Sequence, residues 1–457
     1  MKKENGFSTT QGERISYGLY SFGTILVYYH VASFLQIYLT NIGITAVTVG
    51  IIFMVAKVWD AVNDPVFGVM VDKIQFKKSR YKPWLRIASV SIPIATILLF
   101  VIPAQASPQI KIIWASAAYV LWDTAYTMAD VPLAALAIAM SENEHERNKL
   151  YSLSAFFVCL GGALTAVMVP MLFPAIGWGA TSIIVAVLCF LSMLPLHLKV
   201  KERHAPPQNQ ELSIAELFRV LFKNKYLLVF TLSSIIGSTT NFTMTLVGYF
   251  AVHNLGSEAL ITPLSLAAAA PLLIVSLFLP KLYAKTEKFK VMLISRGISV
   301  VFDFIIYFFV GYSNVVLLLV LITIRQLFFA VWGLSGVIFV ADCVEYGHFK
   351  SGQRVEGISF SVKAFTNKLV VALSGSLCMF ALGAYGFIEG EGVVQSARTV
   401  QGIWDLFALW PAIGSILAIA ILLLFYKLKD SDLKLMMRAN NGEISRDEAL
   451  AGLSRTY

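Results

Sequence analysis

Lys57, Asp60 and Asp64 lie inside the apolar stretch IIFMVAKVWDAVNDPVFGVM, residues 51–70. A helix crosses a bilayer with about 20 mainly apolar residues, and this stretch is long enough. Spacings of three and four residues put the three charged side chains on one helical face. Charge at membrane depth is costly; it faces an interior cavity and marks an ion or substrate path. One cation beside two carboxylates suits the holding of a small cation. Asn63 stands between the two acids, and Pro65 frees a backbone carbonyl nearby. A hard cation takes oxygen ligands, which two carboxylates with an amide or hydroxyl supply. A proton needs only one carboxyl kept from water. The simpler alternative is an internal Lys57–Asp60 ion pair that only holds helices together.

A second polar face runs through AYVLWDTAYTMADVP, where Asp123, Thr127 and Asp130 fall at i, i+4 and i+7. Thr127 could complete a cation shell, and Asp130 could accept hydrogen bonds from substrate hydroxyls. Asp123 either joins the substrate site or faces a water-filled cavity. SFSVKAFTNKLVV carries Lys363 and Lys368. Lys368 lies deeper and can donate to a hydroxylated substrate or pair with Asp64 or Asp130. Lys363 is expected to snorkel to the interface. Asp303 and Arg325, on adjacent antiparallel spans, are expected to form a structural pair. His30 is read as a satisfied core residue. No zinc-finger, nucleophile-elbow or phosphate-loop pattern appears, so enzyme chemistry and metal or organic cofactors are not expected.

These faces must be carried by membrane helices. The 457 residues are 57% hydrophobic and only 14% charged, well below the ~25% charged residues of a soluble domain. The net charge of +9 sits in short loops between apolar runs, which argues against nucleic acid as a partner. Cys159, Cys189, Cys343 and Cys378 lack metal-ligand spacing and read as buried thiols. Twelve candidate spans lie near 15–40, 46–71, 84–104, 110–140, 150–173, 178–198, 226–252, 259–283, 290–311, 315–340, 359–385 and 403–427. Alternate loops are basic (DKIQFKKSRYK, KLYAKTEKFK, EYGHFKSGQR) or nearly free of Lys and Arg (NIGIT, PAQASPQ, GYSN). That bias predicts an integral plasma (inner) membrane protein with both termini cytoplasmic.

The polar segment 199–225 divides the chain into six-helix halves, residues 1–198 and 226–427, followed by a tail at 428–457 expected to be a solvated cytoplasmic segment. A weak echo joins the halves: Val71-Asp72-Lys73 ends span two, and Pro280-Lys281-Leu282 ends span eight. The predicted fold is therefore an all-α membrane protein of twelve transmembrane helices in two halves, the major facilitator superfamily plan, with its site between them.

With these motifs assembled, the chain resembles the glycoside–pentoside–hexuronide:cation symporters, the family that includes melibiose permease. The likeness rests on Trp59-Asp60-Ala61-Val62-Asn63-Asp64-Pro65, Tyr81-Lys82-Pro83-Trp84 and Asp130-Val131-Pro132. It continues through Asp342-Cys343-Val344-Glu345-Tyr346-Gly347 and Gly352-Gln353-Arg354-Val355-Glu356-Gly357 to Ser361 and Lys368. The resemblance implies a cation site of Asp60, Asp64, Asn63 and Thr127, with Asp60 and Asp64 as the metal ligands where sodium is the ion. It implies that Asp130 lies at the sugar, that Lys368 sits between the two sites, and that Arg354 and Glu356 belong to a coupling loop, a role in which Lys57 is also placed. The sequence departs from the melibiose permease pattern at Thr24-Ile25, where an acid is missing, at Ala134 in place of a Trp, and at Ala155 in place of an Arg. A pocket so changed points away from galactosides and towards a pentoside, an oligosaccharide or a hexuronide.

The expected function is secondary active symport of a sugar with sodium or a proton by alternating access, without an obligate protein partner. An amphiphile or lysolipid carrier of the same fold is the first rival, and a non-transporting sugar sensor the second.

Overall fold

A computed structural model describes residues 8–74, 76, 79–141, 143–203, 219, 221–352, 356–390 and 392–455. Helix α1 (Gln11–Asn41) opens on a capping box: Thr10 Oγ1 accepts from Glu13 N at 3.3 Å while Glu13 Oε2 accepts from Thr10 N at 2.8 Å. Then follow α2 (Ala46–Lys73), α3 (Lys82–Phe100) and α4 (Pro108–Met140). Ser107 caps α4, with Pro108 in the first turn, where a missing N–H costs nothing. The long α5 (Glu144–Lys199) is two helices meeting at Gly177, whose φ of 81° and ψ of 164° lie outside helical space. Nothing lies within 4 Å of where its Cβ would stand, so the glycine is there for backbone freedom, not for room.

The remaining elements are α6 (Lys225–Thr239), α7 (Thr243–Tyr249) running into a π-turn, α8 (Ile261–Lys285), α9 (Lys288–Phe304) and α10 (Val315–Ser351). After them come α11 (Glu356–Ala384), α12 (Ala397–Trp404), α13 (Trp410–Phe425), α14 (Asp430–Asn440) and α15 (Arg446–Gly452). Among the described residues, ten segments are long and apolar enough to cross a membrane, and one of them, Lys149–Lys199, is the helix pair joined at Gly177. Dividing that pair and adding α4, which its acids and threonines keep out of the apolar set, restores the twelve spans read from the sequence.

The chain divides into two compact units. The first holds residues 1–211 with 247–266 and 376–400; the second holds 212–246, 267–375 and 401–457. Each contains the same device. In the first, Glu202, just past the end of α5, accepts from the backbone N–H of Tyr81 at 3.0 Å and of Lys82 at 2.9 Å, capping α3. In the second, Asp430, just past α13, accepts from Lys288 N at 2.9 Å and caps α9. In both cases the carboxylate after the last span of a half neutralises the positive end of its third span. That correspondence is a structural echo of the two halves, stronger than the one at Asp72 and Lys281 in the sequence.

The tail differs from expectation. Its α14 and α15 fold against the second unit, burying Leu433, Met436 and Ala449 in a cluster with Tyr226, Phe339, Tyr346 and Tyr426. Asp432 Oδ1 accepts from Ser454 N at 3.1 Å, and Asn440 Nδ2 donates to Glu345 Oε2 at 2.9 Å. The segment reads as polar because its apolar residues are few, but they recur at helical spacing and fall on one side. Most of the loop expected at 199–225 lies outside the described residues.

Gly414 shows the close packing expected of glycines in the spans. A Cβ there would stand 2.8 Å from Thr240 Cβ and 3.0 Å from Ile236 O, so α13 rests directly on α6.

Candidate functional site: a charged cluster where α2 meets α4

In the first unit, α2 packs on α4 and its polar face meets the second polar face of the sequence. Asn63 Nδ2 donates to Thr127 Oγ1 at 3.0 Å, and Thr127 Oγ1 lies 3.1 Å from Asp64 Oδ1. The same hydroxyl is 3.2 Å from the Asp123 carbonyl of its own helix. It has one proton, so it donates to one of the two at a time. With its amide nitrogen engaged, Asn63 has its oxygen left for a ligand. Two turns away on α2, Lys57 Nζ stands 3.5 Å from Asp60 Oδ2 and 3.5 Å from Asp123 Oδ1. Trp59 Nε1 donates to Thr124 Oγ1 at 3.0 Å and holds the same pair of helices in register.

Asp60, Asn63, Asp123 and Thr127 are 8%, 7%, 3% and 2% exposed, so water does little to offset their charge and polarity. Lys57 is the only basic side chain of residues 46–71 and 112–140. Its ammonium stands between Asp60 and Asp123, and Asp64 lies farther along α2, beside Thr127. Lys57 is not a private partner of Asp60: its ammonium is shared between carboxylates of two helices, Asp60 on α2 and Asp123 on α4. Moreover, Asp123 Oδ2 is buried without a hydrogen-bond partner. A buried acceptor left in that state costs about 1–3 kcal/mol. Carboxylate, amide and hydroxyl oxygens of this kind fit a monovalent hard cation, or a proton on one carboxylate.

The structure thus joins Lys57, Asp60 and Asp123, and it joins Asn63, Asp64 and Thr127. Asp123, expected either at the substrate or facing a water-filled cavity, is met by Lys57, because the crossing of α4 over α2 brings the two level. Asp130 is exposed, about one turn beyond Thr127. Lys368 is half-buried on α11, in the second unit. Arg354 lies outside the described residues, and Glu356 is described only as the first residue of α11. His30 is a core residue: its Nε2 is 2.8 Å from Ser182 Oγ and its ring stacks on Phe100. Asp303 and Arg325 pair at 3.1 Å, both almost fully buried.

Sequence reasoning missed an aromatic wall beside the cluster. Tyr28 of α1 lies 5.5 Å from Tyr126 of α4 between ring centroids, and Tyr126 stacks on Trp122 at 5.2 Å. The signal was present as aromatics at helical spacing along the same face of α4 as Asp123, but apolar spans are rich in such residues. Lys363 was also misjudged. Instead of snorkelling, it folds over Gly336, with Cε 3.1 Å and Nζ 3.4 Å from where a Cβ of residue 336 would be.

The end of the first unit opposite the basic loops is closed. Thr40 Oγ1 and the Tyr249 hydroxyl are 2.9 Å apart, Gly390 N donates to Thr40 O at 3.1 Å, and Glu389 Oε1 accepts from Ala46 N at 2.8 Å. The last contact places a carboxylate on the N-terminus of α2.

Long apolar helices around a buried, charge-rich interior define a membrane transporter, and the fold is that of the major facilitator superfamily. A solved structure of the nucleoside transporter NupG covers 90% of this chain with 98% of its own, at a TM-score of 0.65 and 16% identity, a likeness of fold. The chain belongs to the family described as MFS/sugar transport protein, whose family model matches residues 16–430. Among its relatives, "Uncharacterized symporter YjmB" of Bacillus subtilis is 31% identical over 432 residues, 92% of each chain. The "Isoprimeverose transporter" of Lactiplantibacillus pentosus is 26% identical over 440 residues, 93% of this chain and 90% of its own. The protein is an integral membrane transporter and not an enzyme.

Proposed function

We propose that this protein is a secondary active symporter, moving a sugar across the plasma (inner) membrane with sodium or a proton by alternating access. The carrying observation is the meeting of two polar faces inside α2 and α4: Lys57 bridges Asp60 and Asp123, while Asn63 donates to Thr127, whose hydroxyl lies against Asp64. Asp60, Asp64, Asn63 and Thr127 supply the cation's oxygens. Lys57, shared between Asp60 and Asp123, tempers the negative charge so that the cation can leave as well as arrive. Asp130 and Lys368 are the polar contacts for sugar, and Arg354 and Glu356 couple its movement to that of the ion. Sugar as the cargo is supported by the family description and by the isoprimeverose transporter among the relatives.

Coupling means that each ligand favours binding of the other by one reciprocal free energy. A cation entering the cluster draws these oxygens together, and α4, which carries Asp123 and Thr127, also carries Asp130, Trp122 and Tyr126. The closed end at Thr40, Glu389 and Tyr249 supports alternating access, since it is built from few and breakable hydrogen bonds. The basic loops support cytoplasmic placement of both termini.

The test is uptake of labelled pentosides, galactosides and hexuronides into proteoliposomes under an imposed sodium gradient and, separately, a proton gradient. Accumulation under one gradient that is lost in Asp64→Asn is the expected result. Normal accumulation by Asp64→Asn overturns the cation assignment, and no uptake of any sugar under either gradient overturns the symport reading.

A further inference from the structure

In the second unit, a cavity of about 70 Å³ opens between α6, α10 and α11. Its wall includes Thr231, Ser234, Ser238, Trp332, Lys363 and Asn367. It has room for several water-sized groups, enough for a charged substituent of a ligand and not for a whole disaccharide. Every polar side chain named there is unengaged: among the described residues the hydroxyls of Thr231, Ser234 and Ser238, the Asn367 amide and the Lys363 ammonium have no hydrogen-bond or ion-pair partner. Thr231 is buried, Ser234, Ser238 and Lys363 are half-buried and Asn367 is exposed, so these groups can exchange water for the polar groups of an entering ligand.

Lys363 enters the cavity because residue 336 is glycine, which leaves the space its Cε and Nζ occupy. Beside it, the Arg296 guanidinium lies 4.9 Å from the Trp332 ring centroid. Arg296 is fully buried, donates from Nη2 to Gly237 O at 2.6 Å, and has Nε and Nη1 without partners. The nearby Arg325 is matched by Asp303 at 3.1 Å. Among the described residues, the charges gathered here are Lys363, Arg296 and Arg325 against Asp303. A half-buried ammonium beside a fully buried guanidinium with two unpartnered nitrogens favours an incoming anion.

We propose that this cavity is an anion subsite and that the transported sugar is acidic, a uronic acid or its glycoside, whose carboxylate pairs with Lys363. The inference rests on the symport reading and names the substrate class for it. Ser234 and Ser238 donate to the same carboxylate or to a neighbouring ring hydroxyl, and Trp332 offers a flat apolar wall to the ring. Lys363 is thereby the residue that distinguishes an acidic sugar from its neutral counterpart.

The test compares methyl glucuronide with methyl glucoside, which differ only in the charged carbon, in proteoliposomes under the coupling gradient. A sulfonated glucose separates recognition of a carboxylate from recognition of any anion. Wild-type protein is expected to prefer methyl glucuronide, and Lys363→Gln to lower the ratio of acidic to neutral transport about tenfold, through KM, as loss of one charge-assisted bond does. Lys363→Arg restores most of that ratio. Gly336→Ala, which keeps the charge but presses the side chain aside, lowers the ratio by less, and it stands in should Lys363→Gln fail to elute as a monodisperse protein. A wild-type preference for the neutral glycoside, or an unchanged ratio in Lys363→Gln and Gly336→Ala, overturns the subsite and leaves symport standing. Failure of the wild type to move any of the sugars overturns both.

Discussion

Replacing Thr127 with valine removes one oxygen and keeps the shape of the side chain. In the structure that oxygen accepts from Asn63 at 3.0 Å and lies 3.1 Å from Asp64, and it is 2% exposed. The buried Asn63 donor then has no acceptor at this position, and a cation bound at Asp64 loses a neutral ligand. Each loss is of the order of 1–3 kcal/mol, and since the first also burdens the empty site, only part of the sum reaches binding. A net loss of about 1.4–2.8 kcal/mol is a factor of about 10–100 in cation affinity. A proton needs no shell of oxygens, so proton-driven uptake should change by less than about threefold. The assay is the concentration of sodium giving half-maximal sugar uptake in proteoliposomes, with proton-driven uptake measured on the same preparation. Thr127→Ser, which returns the hydroxyl, should recover most of the affinity. A half-maximal sodium concentration within about twofold of wild type in Thr127→Val, alongside loss of coupling in Asp64→Asn, would refute Thr127 as a ligand.

Three further outcomes follow from other contacts. Glu146, in the first turn of α5, accepts from Ser8 Oγ at 2.9 Å, Thr9 N at 2.7 Å and Ser141 Oγ at 2.5 Å. Burial alone would raise its pKa, but these bonds win and hold it at about 2, below the ordinary 4.5. The stability it contributes is therefore full above pH 4.5 and lost as the pH falls through about 2; thermal unfolding in detergent should show that acid loss in the wild type and not in Glu146→Ala, and an identical pH profile for the two would count against it. Glu389→Ala removes the carboxylate from the α2 N-terminus, an interaction of about 0.3–2 kcal/mol, and should loosen the closed end. Alkylation of a cysteine placed at Ile37, which is 5% exposed, should then quicken, and an unchanged rate would mean that Glu389 does not hold that end. Gly414→Val must part α13 from α6, at about 1–3 kcal/mol or more, and should lower the unfolding temperature; wild-type stability would show that the two helices separate freely.

Much of the site was legible in the chain because helical periodicity decides which residues share a face. Lys57, Asp60 and Asp64 had to lie on one side of α2, and Asp123, Thr127 and Asp130 on one side of α4, whatever the rest of the protein did. The number of spans was equally local, since apolar length and loop charge repeat along the chain. The pairings across helices were not. That Thr127 would take a hydrogen bond from Asn63, and that one lysine would be shared by Asp60 and Asp123, depends on the level at which α4 crosses α2. That crossing is set by packing along both helices.

Lys363 shows the same limit more sharply. Its sequence context is that of a lysine near a helix end, which ordinarily reaches for the interface, yet a glycine on another helix, 27 positions earlier in the chain, leaves room for it to turn inward. The tail, too, reads as solvated until a cluster of aromatic side chains from α6, α10 and the end of α13 offers its few apolar residues a surface. The sequence by itself determined which charges enter the membrane and on which faces of which helices, because those follow from composition and period. Only the tertiary structure decided which of those charges meet, because an ion pair in a low-dielectric interior joins neighbours distant in the chain.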